Sequence, residues 1–148
     1  MTFVYEFNIY TRRCALWRNL FDISENMSNR WILLGDFNTV LRHEEKIGDA
    51  FCHVSAVDLS SCMDRCGLSK VSVSRAKFTW SRYTINGRQE RKLDRCFVQV
   101  DDRNVAVDFS GITFPRINSD HNSILVDARS PSVRETPLPF KFNNAWLT

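Results

Sequence analysis

Apolar and polar positions divide the chain into short elements whose period switches between two and about 3.6 residues. Trp31-Ile32-Leu33-Leu34 is an unbroken apolar run that ends at Gly35, with Asp36 and Asn38 just beyond. That pattern predicts a strand buried on both faces that stops at a polar edge. Thr2 to Phe7 alternates and is rich in β-forming residues, which predicts a strand ending at Asn8. Leu16, Trp17, Leu20, Ile23 and Met27 recur at helical spacing, so a packing helix is expected over 13–27, with Trp17 in its apolar stripe. Residues 39–53 are polar and read as a surface loop, where His43, Glu44, Glu45 and Asp49 have Lys46 as their one built-in charge partner.

Ser55 and Asp58 have the spacing of a capping box and Gly67 is a helix stop, which predicts a second helix over about 55–66. Strands are expected over 69–74 and 77–81, and again over 92–100 after a turn at Asn86-Gly87. Strand-like pieces at 112–117 and 123–126 flank a loop carrying Ser119-Asp120-His121. From Ser130 onward Pro131, Pro137 and Pro139 interrupt regular structure, so the chain divides into a domain over 1–129 and a linker over 130–148.

Composition narrows the class. A chain of 148 residues with 43% apolar and 12% aromatic content suits one globular domain and excludes a disordered one. No apolar run approaches the ~20 residues of a membrane span, and the N-terminus lacks the basic-then-apolar order of a signal peptide, so an intracellular location is expected. Cys14, Cys52, Cys62, Cys66 and Cys96 are odd in number and contain no Cys-x-x-Cys, which predicts reduced thiols. Cys62 and Cys66 fall on one helical face as buried thiols; the other reading of that cluster, with Cys52 and His53, is a zinc site.

Net charge is only +3, but its distribution is uneven. Residues 75–95 hold Arg75, Lys77, Arg82, Arg88, Arg91, Lys92 and Arg95 against Glu90 and Asp94, giving +5 there and -2 elsewhere. A basic segment interleaved with Phe78, Trp80 and Tyr83 suits a polyanion such as a nucleic acid backbone. Its other reading is a solvated hairpin.

On extended backbone Asp36 and Asn38 project the same way, setting an acceptor-only carboxylate beside a two-sided amide at the end of a rigid strand. The same residues also spell an Asx turn. Further along, Phe78-Thr79-Trp80-Ser81, Leu93-Asp94-Arg95 and Ser119-Asp120-His121 follow Gly35-Asp36-Phe37-Asn38 in order. The four motifs together resemble those of the endonuclease/exonuclease/phosphatase superfamily, and in particular the endonuclease of plant LINE-type (non-LTR) retrotransposons.

That resemblance implies an α/β fold, a deoxyribonuclease-like sandwich of two packed mixed β-sheets flanked by helices, lacking its N-terminal strands. It also implies magnesium-dependent phosphodiester hydrolysis, with manganese as a substitute ion. Asp36 would orient or deprotonate the attacking water and Asn38 would hold it or a phosphate oxygen. His121 would donate to a non-bridging oxygen, Asp94 would fix its imidazole, and Asp120 with Asp36 would serve the metal region. Tyr5 and Asn8 would face the scissile phosphate, and Tyr83, Arg88 and Arg91, with Lys92 and Trp80, would contact DNA.

Two departures stand out. Glu6 follows Tyr5 where the family has a small residue, and a carboxylate there is unfavourable beside a phosphate. The family's opening segments, which supply an Asn and the Glu that is the main metal ligand, have no counterpart before Tyr5. The resemblance therefore implies part of a domain, in a nuclear DNA endonuclease whose tail leads toward a reverse transcriptase region. The alternatives are a catalytically dead nucleic-acid-binding remnant and a phosphatase-type member acting on a phosphorylated small molecule or lipid.

Overall fold

Chain order among the described residues, 1–6, 10–28, 30–99 and 107–129, begins with β1 (Thr2–Tyr5), α1 (Tyr10–Glu25), β2 (Ile32–Asp36), β3 (Lys46–Ile47) and α2 (His53–Arg65) in this computed structural model. There follow β4 (Leu68–Lys70), β5 (Ser72–Ser74), β6 (Trp80–Thr84), β7 (Gly87–Arg91), β8 (Asp94–Gln99), β9 (Asp108–Thr113) and β10 (Ile124–Arg129). The expected Asn8 contact and the expected linker over 130–148 lie outside the described residues.

The apolar run becomes an inner strand, as its pattern requires. β2 pairs in parallel with β1 and antiparallel with β8, and β4 closes the far edge of this mixed sheet, in the order β1-β2-β8-β4. Gly35 is obligatory there: it has φ +150, and a Cβ would stand 1.9 Å from the Val4 carbonyl oxygen of the adjoining strand. Leu33 and Phe97 are neighbours in register and face the helices, where they pack with Val4, Leu20, Trp31, Leu59, Met63 and Leu68. Leu34 and Cys96, the next pair in register, face the other way, into a smaller core with Val71, Val98, Phe109 and Val126.

That second core is roofed by another mixed sheet, β10-β9-β5, antiparallel then parallel. The molecule is thus two packed mixed sheets with both described helices on the outer face of the larger one. A single strand expected over 69–74 is divided at Val71, whose N–H donates to the Cys96 carbonyl at 2.9 Å before the chain crosses to pair with β9. A strand that changes sheets makes a corner of the sandwich, which a period-two pattern does not reveal.

Three boundaries move. α1 lies over Tyr10–Glu25 rather than 13–27, and α2 begins at His53 rather than Ser55. The first intrahelical bond of α2 runs from Ala56 N–H to the Cys52 carbonyl, so Cys52 is the N-cap and Ser55 is buried in the first turn. The strand expected over 77–81 is β6, shifted to Trp80–Thr84, and it has a hairpin partner of its own: β6 and β7 pair from Trp80↔Arg91 to Thr84↔Gly87, and β3 joins them as a third small sheet. All five cysteines are free, and burial pushes the Cys62 thiol up to about 12, which keeps it inert. No helix among the described residues is long and apolar enough to cross a membrane.

The larger correction concerns residues 39–53. Glu45 is buried, ends a 3-10 turn at His43–Glu45, and forms a two-pronged pair with Arg95 at 2.7 and 3.2 Å. Arg95 is 1% exposed and also donates to the Thr39 and Lys92 carbonyls. The polar stretch is therefore a tethered flap, and Arg95 is withdrawn from the basic surface.

Candidate active site

Tyr5, Asp36 and Asp94 are direct neighbours in register across β1, β2 and β8, so they form one row on one face of the sheet. His121 is brought to that row by backbone bonds rather than by its own element. Ser81 N–H donates to the Asp120 carbonyl at 3.1 Å and Asn122 N–H donates to the Thr79 carbonyl at 2.7 Å, which clamps residues 120–122 against the start of β6. The Thr79 hydroxyl oxygen, fully buried, accepts from both Leu93 and Asp94 N–H groups at 2.9 and 3.0 Å. Thr79 thus locks the two segments that carry Asp94 and His121. It belonged to a recognised motif, but nothing local marked its role.

His121 Nδ1 is 2.9 Å from Asp94 Oδ2, and its Nε2 is 3.9 Å from Asp36 Oδ2. With Nδ1–H donated to Asp94, Nε2 is directed toward the space beside Asp36. This arrangement presents an oriented imidazole and a carboxylate to the same small volume.

Asn38 is not on extended backbone. It has φ +43, its N–H donates to Asp36 Oδ1 at 2.8 Å, and this is the Asx turn that the sequence also allowed. Its amide nitrogen donates to Asp36 Oδ2 at 3.1 Å and to the Glu6 carbonyl at 2.6 Å. Turn and site therefore coincide, since the amide that closes the loop also holds the carboxylate. Burial raises the Asp36 carboxyl above its ordinary value; the Asn38 N–H opposes that rise, and Asp94 reinforces it.

Asp120 Oδ2 accepts the Trp80 indole N–H at 2.8 Å, and this bond holds its carboxyl below the ordinary value. Its charge still reaches Asp36. Tyr5 is 81% exposed at the rim of the row. On the hairpin Tyr83 is exposed, Arg88 meets Glu90 at 2.6 Å, and Arg91 meets Asp49 at 2.8 Å while lying over the Trp80 ring. Among the described residues no three His, Cys, Asp or Glu side chains converge to hold a metal.

Glu6 does not face the Tyr5 side of the sheet. Its side chain is buried on the helix side, 3.4 Å from Arg13 Nε. Burial, opposed by Arg13 and reinforced by Asp36, pushes its carboxyl from 4.5 up to about 8. Folded Glu6 thus keeps a proton that the unfolded chain has already lost. Its contribution to stability is full below the unfolded value of 4.5 and is lost as pH rises to about 8. Over that window stability should fall by up to about 1.4 kcal/mol per pH unit, and Glu6→Gln should flatten the slope. Urea melts at several pH values check this, and a wild-type chain that gains stability as pH rises through the window overturns it.

The fold is a deoxyribonuclease-like α/β sandwich of two packed mixed sheets. No family model matches the chain, and no curated protein matches it. Among solved structures, it is similar to the endonuclease domain of TRAS1, a telomere-specific non-LTR retrotransposon, at 17% identity and a TM-score of 0.61 over 80% of this chain and 52% of that one. It is also similar to CdtB, the biologically active subunit of cytolethal distending toxin, at 12% identity and a TM-score of 0.47 over 86% of this chain and 47% of that one. The chain spans about half the length of each of these structures.

Proposed function

We propose that this chain is part of a magnesium-dependent phosphodiesterase that nicks DNA, of the plant LINE-type retrotransposon class. The observation that carries the reading is the Asp94–His121–Asp36 alignment, 2.9 and 3.9 Å between successive groups, at the strand ends of a nuclease-type fold. Asp36, its carboxyl raised by burial, accepts the proton of the attacking water. Asn38 fixes that carboxylate. His121 Nε2 donates to a phosphoryl oxygen, and Asp94 keeps the proton of Nδ1 in place. Tyr5, at the open end of the row, faces the phosphate.

A magnesium ion would supply charge neutralisation at the phosphoryl oxygens. Asp36 and Asp120 are oxygen donors of the right class, but their oxygens are engaged by Asn38 and Trp80 and no third carboxylate joins them. The described residues alone do not fit the ion. We place the missing ligand on a Glu in a further segment of the same sandwich, with a reverse transcriptase region beyond the tail.

A second reading, a nucleic-acid-binding remnant without catalysis, is favoured by that same unfinished ligand set. Nicking of supercoiled plasmid under magnesium or manganese titration separates the two. The 148-residue chain should cut little or not at all, and a form extended by the Glu-bearing segment should nick. Metal-dependent nicking by the shorter chain would refute the need for that Glu and leave the site standing. DNA binding without cleavage in both forms would establish the remnant.

A further inference from the structure

The hairpin arginines are the obvious DNA contacts, yet two of the three already face a carboxylate: Arg88 meets Glu90 at 2.6 Å and Arg91 meets Asp49 at 2.8 Å, while Arg82 is exposed on β6. A phosphate binding there must displace an internal partner. A larger concentration of unpaired positive charge lies in a basin of about 440 Å³ between the 42–45 turn, the β4–β5 corner and Lys92. Its cations are Arg42, Lys70, Arg75, Lys77 and Lys92, five against the two carboxylates of Glu44 and Glu45, a surplus of three. Glu45 is already committed to buried Arg95, and Arg42 has Glu44 at 3.7 Å.

Among the described residues Arg75, Lys77 and Lys92 make no ion pair. Arg75 and Lys77 lie instead over the Phe114 and Phe78 rings, at 5.6 and 5.2 Å. Arg75 is held at φ +79, a left-handed conformation in which glycine or asparagine is more comfortable, so backbone preference does not explain an arginine there. Lys92 is both desolvated and crowded by Lys70 and Arg95, which holds its ammonium below its ordinary pKa. An anion would relieve that crowding.

Along the chain, two of the basin's cations adjoin the site. Lys92 is two residues before Asp94, and Lys77 is two residues before Thr79, whose hydroxyl accepts the Asp94 N–H at 3.0 Å. Two residues span at most ~7 Å, against ~3.4 Å of helix axis per phosphate on one strand. We propose that this basin binds the phosphodiester backbone of duplex DNA about two phosphates from the scissile one. Arg75, Lys77 and Lys92 are its anion-binding groups. The proposal rests on the nuclease reading and adds where the strand is gripped.

The test is fluorescence anisotropy of the full 148-residue chain with a labelled duplex of about 20 base pairs over a salt series. The Arg75→Gly/Lys77→Gln/Lys92→Gln chain should bind at least ~10-fold more weakly and lower the slope of log affinity against log salt by about 2.7, near 0.9 per lost phosphate contact. Arg88→Gln/Arg91→Gln should lower that slope by less than about 1. Arg75→Gly alone keeps the turn and relieves its strain, so it should melt no lower than wild type while still weakening binding; it carries the test if the triple variant does not fold. A basin variant with wild-type affinity and slope overturns the proposal, as does a larger loss from the hairpin pair or tighter binding of single-stranded RNA of equal length. If the extended form nicks plasmid while basin variants bind normally, the basin alone fails. If wild type binds no duplex and neither form nicks, the nuclease reading fails with it.

Discussion

Glu45→Ala should destabilise the fold by about 3–5 kcal/mol, because it strands the Arg95 guanidinium in the interior without its counter-charge. The Glu45 carboxylate takes both terminal nitrogens of Arg95, accepts the Leu41 N–H at 2.8 Å and stands 3.7 Å from Lys70 Nζ. These partners hold its carboxyl below the ordinary value despite burial. Removing it therefore costs an ion pair, the anchor of the 39–47 flap and the satisfaction of a buried cation together. Against a typical total of about 5–15 kcal/mol, that loss unfolds much of the population near body temperature. Replacing both partners together, Glu45→Met with Arg95→Met, should recover most of it, since the uncompensated charge goes too. Chemical denaturation of the three chains decides the matter. An Arg95→Met/Glu45→Met chain no more stable than Glu45→Ala, or a Glu45→Ala chain as stable as wild type, overturns the account.

In the form extended by the Glu-bearing segment, Asp94→Asn should lower plasmid nicking by about 10³-fold, and His121→Ala should do about the same, within the range set by general acid–base groups. Asp94 acts through the imidazole at 2.9 Å. An asparagine keeps its shape but presents no carboxylate to Nδ1–H, so Nε2 loses its fixed role. Since the two residues work as one device, the double variant should be no slower than the slower single one. Multiplying losses would show that Asp94 acts independently, for instance on a metal. Asp36→Ala should abolish nicking as well. In wild type the acid limb of the rate profile should lie above 3.8, because burial raises the Asp36 carboxyl and the base form is lost as pH falls through that raised value.

Much of this molecule is legible in its sequence. The run at 31–34 read as a strand buried on both faces and is an inner strand, and the helical recurrence of Leu16, Trp17 and Leu20 read as a packing face and lies against the larger sheet. Asp36 was readable from a local signal, the polar stop of an apolar run, whereas Asp94 and His121 stood out only through the motif resemblance, and the fold sets His121 between the two carboxylates. Element ends were less legible. α2 starts at His53 because Cys52 accepts the first helical bond, and Ser55, a better cap by residue type, is turned inward.

The sequence alone determined the alternation of strands and helices, the polar strand ends and the order of the motifs, since these follow from backbone periods within a few residues. Only the tertiary structure decided which charges are free. Glu45 and Arg95 lie 50 residues apart, and Asp49 and Arg91 lie 42 apart, so their pairing depends on how the flap and the hairpin fold back on the sheet. A polar loop and a basic hairpin thereby exchanged roles: the loop became a buried tether and two hairpin arginines gained partners. Of the unpaired charge left in that segment, Arg82 stays on the hairpin while Arg75, Lys77 and Lys92 line one basin, a juxtaposition created by the sheet change at Val71 and the Thr79 clasp. Coulomb interactions act through space, and no spacing along the chain encodes that distance.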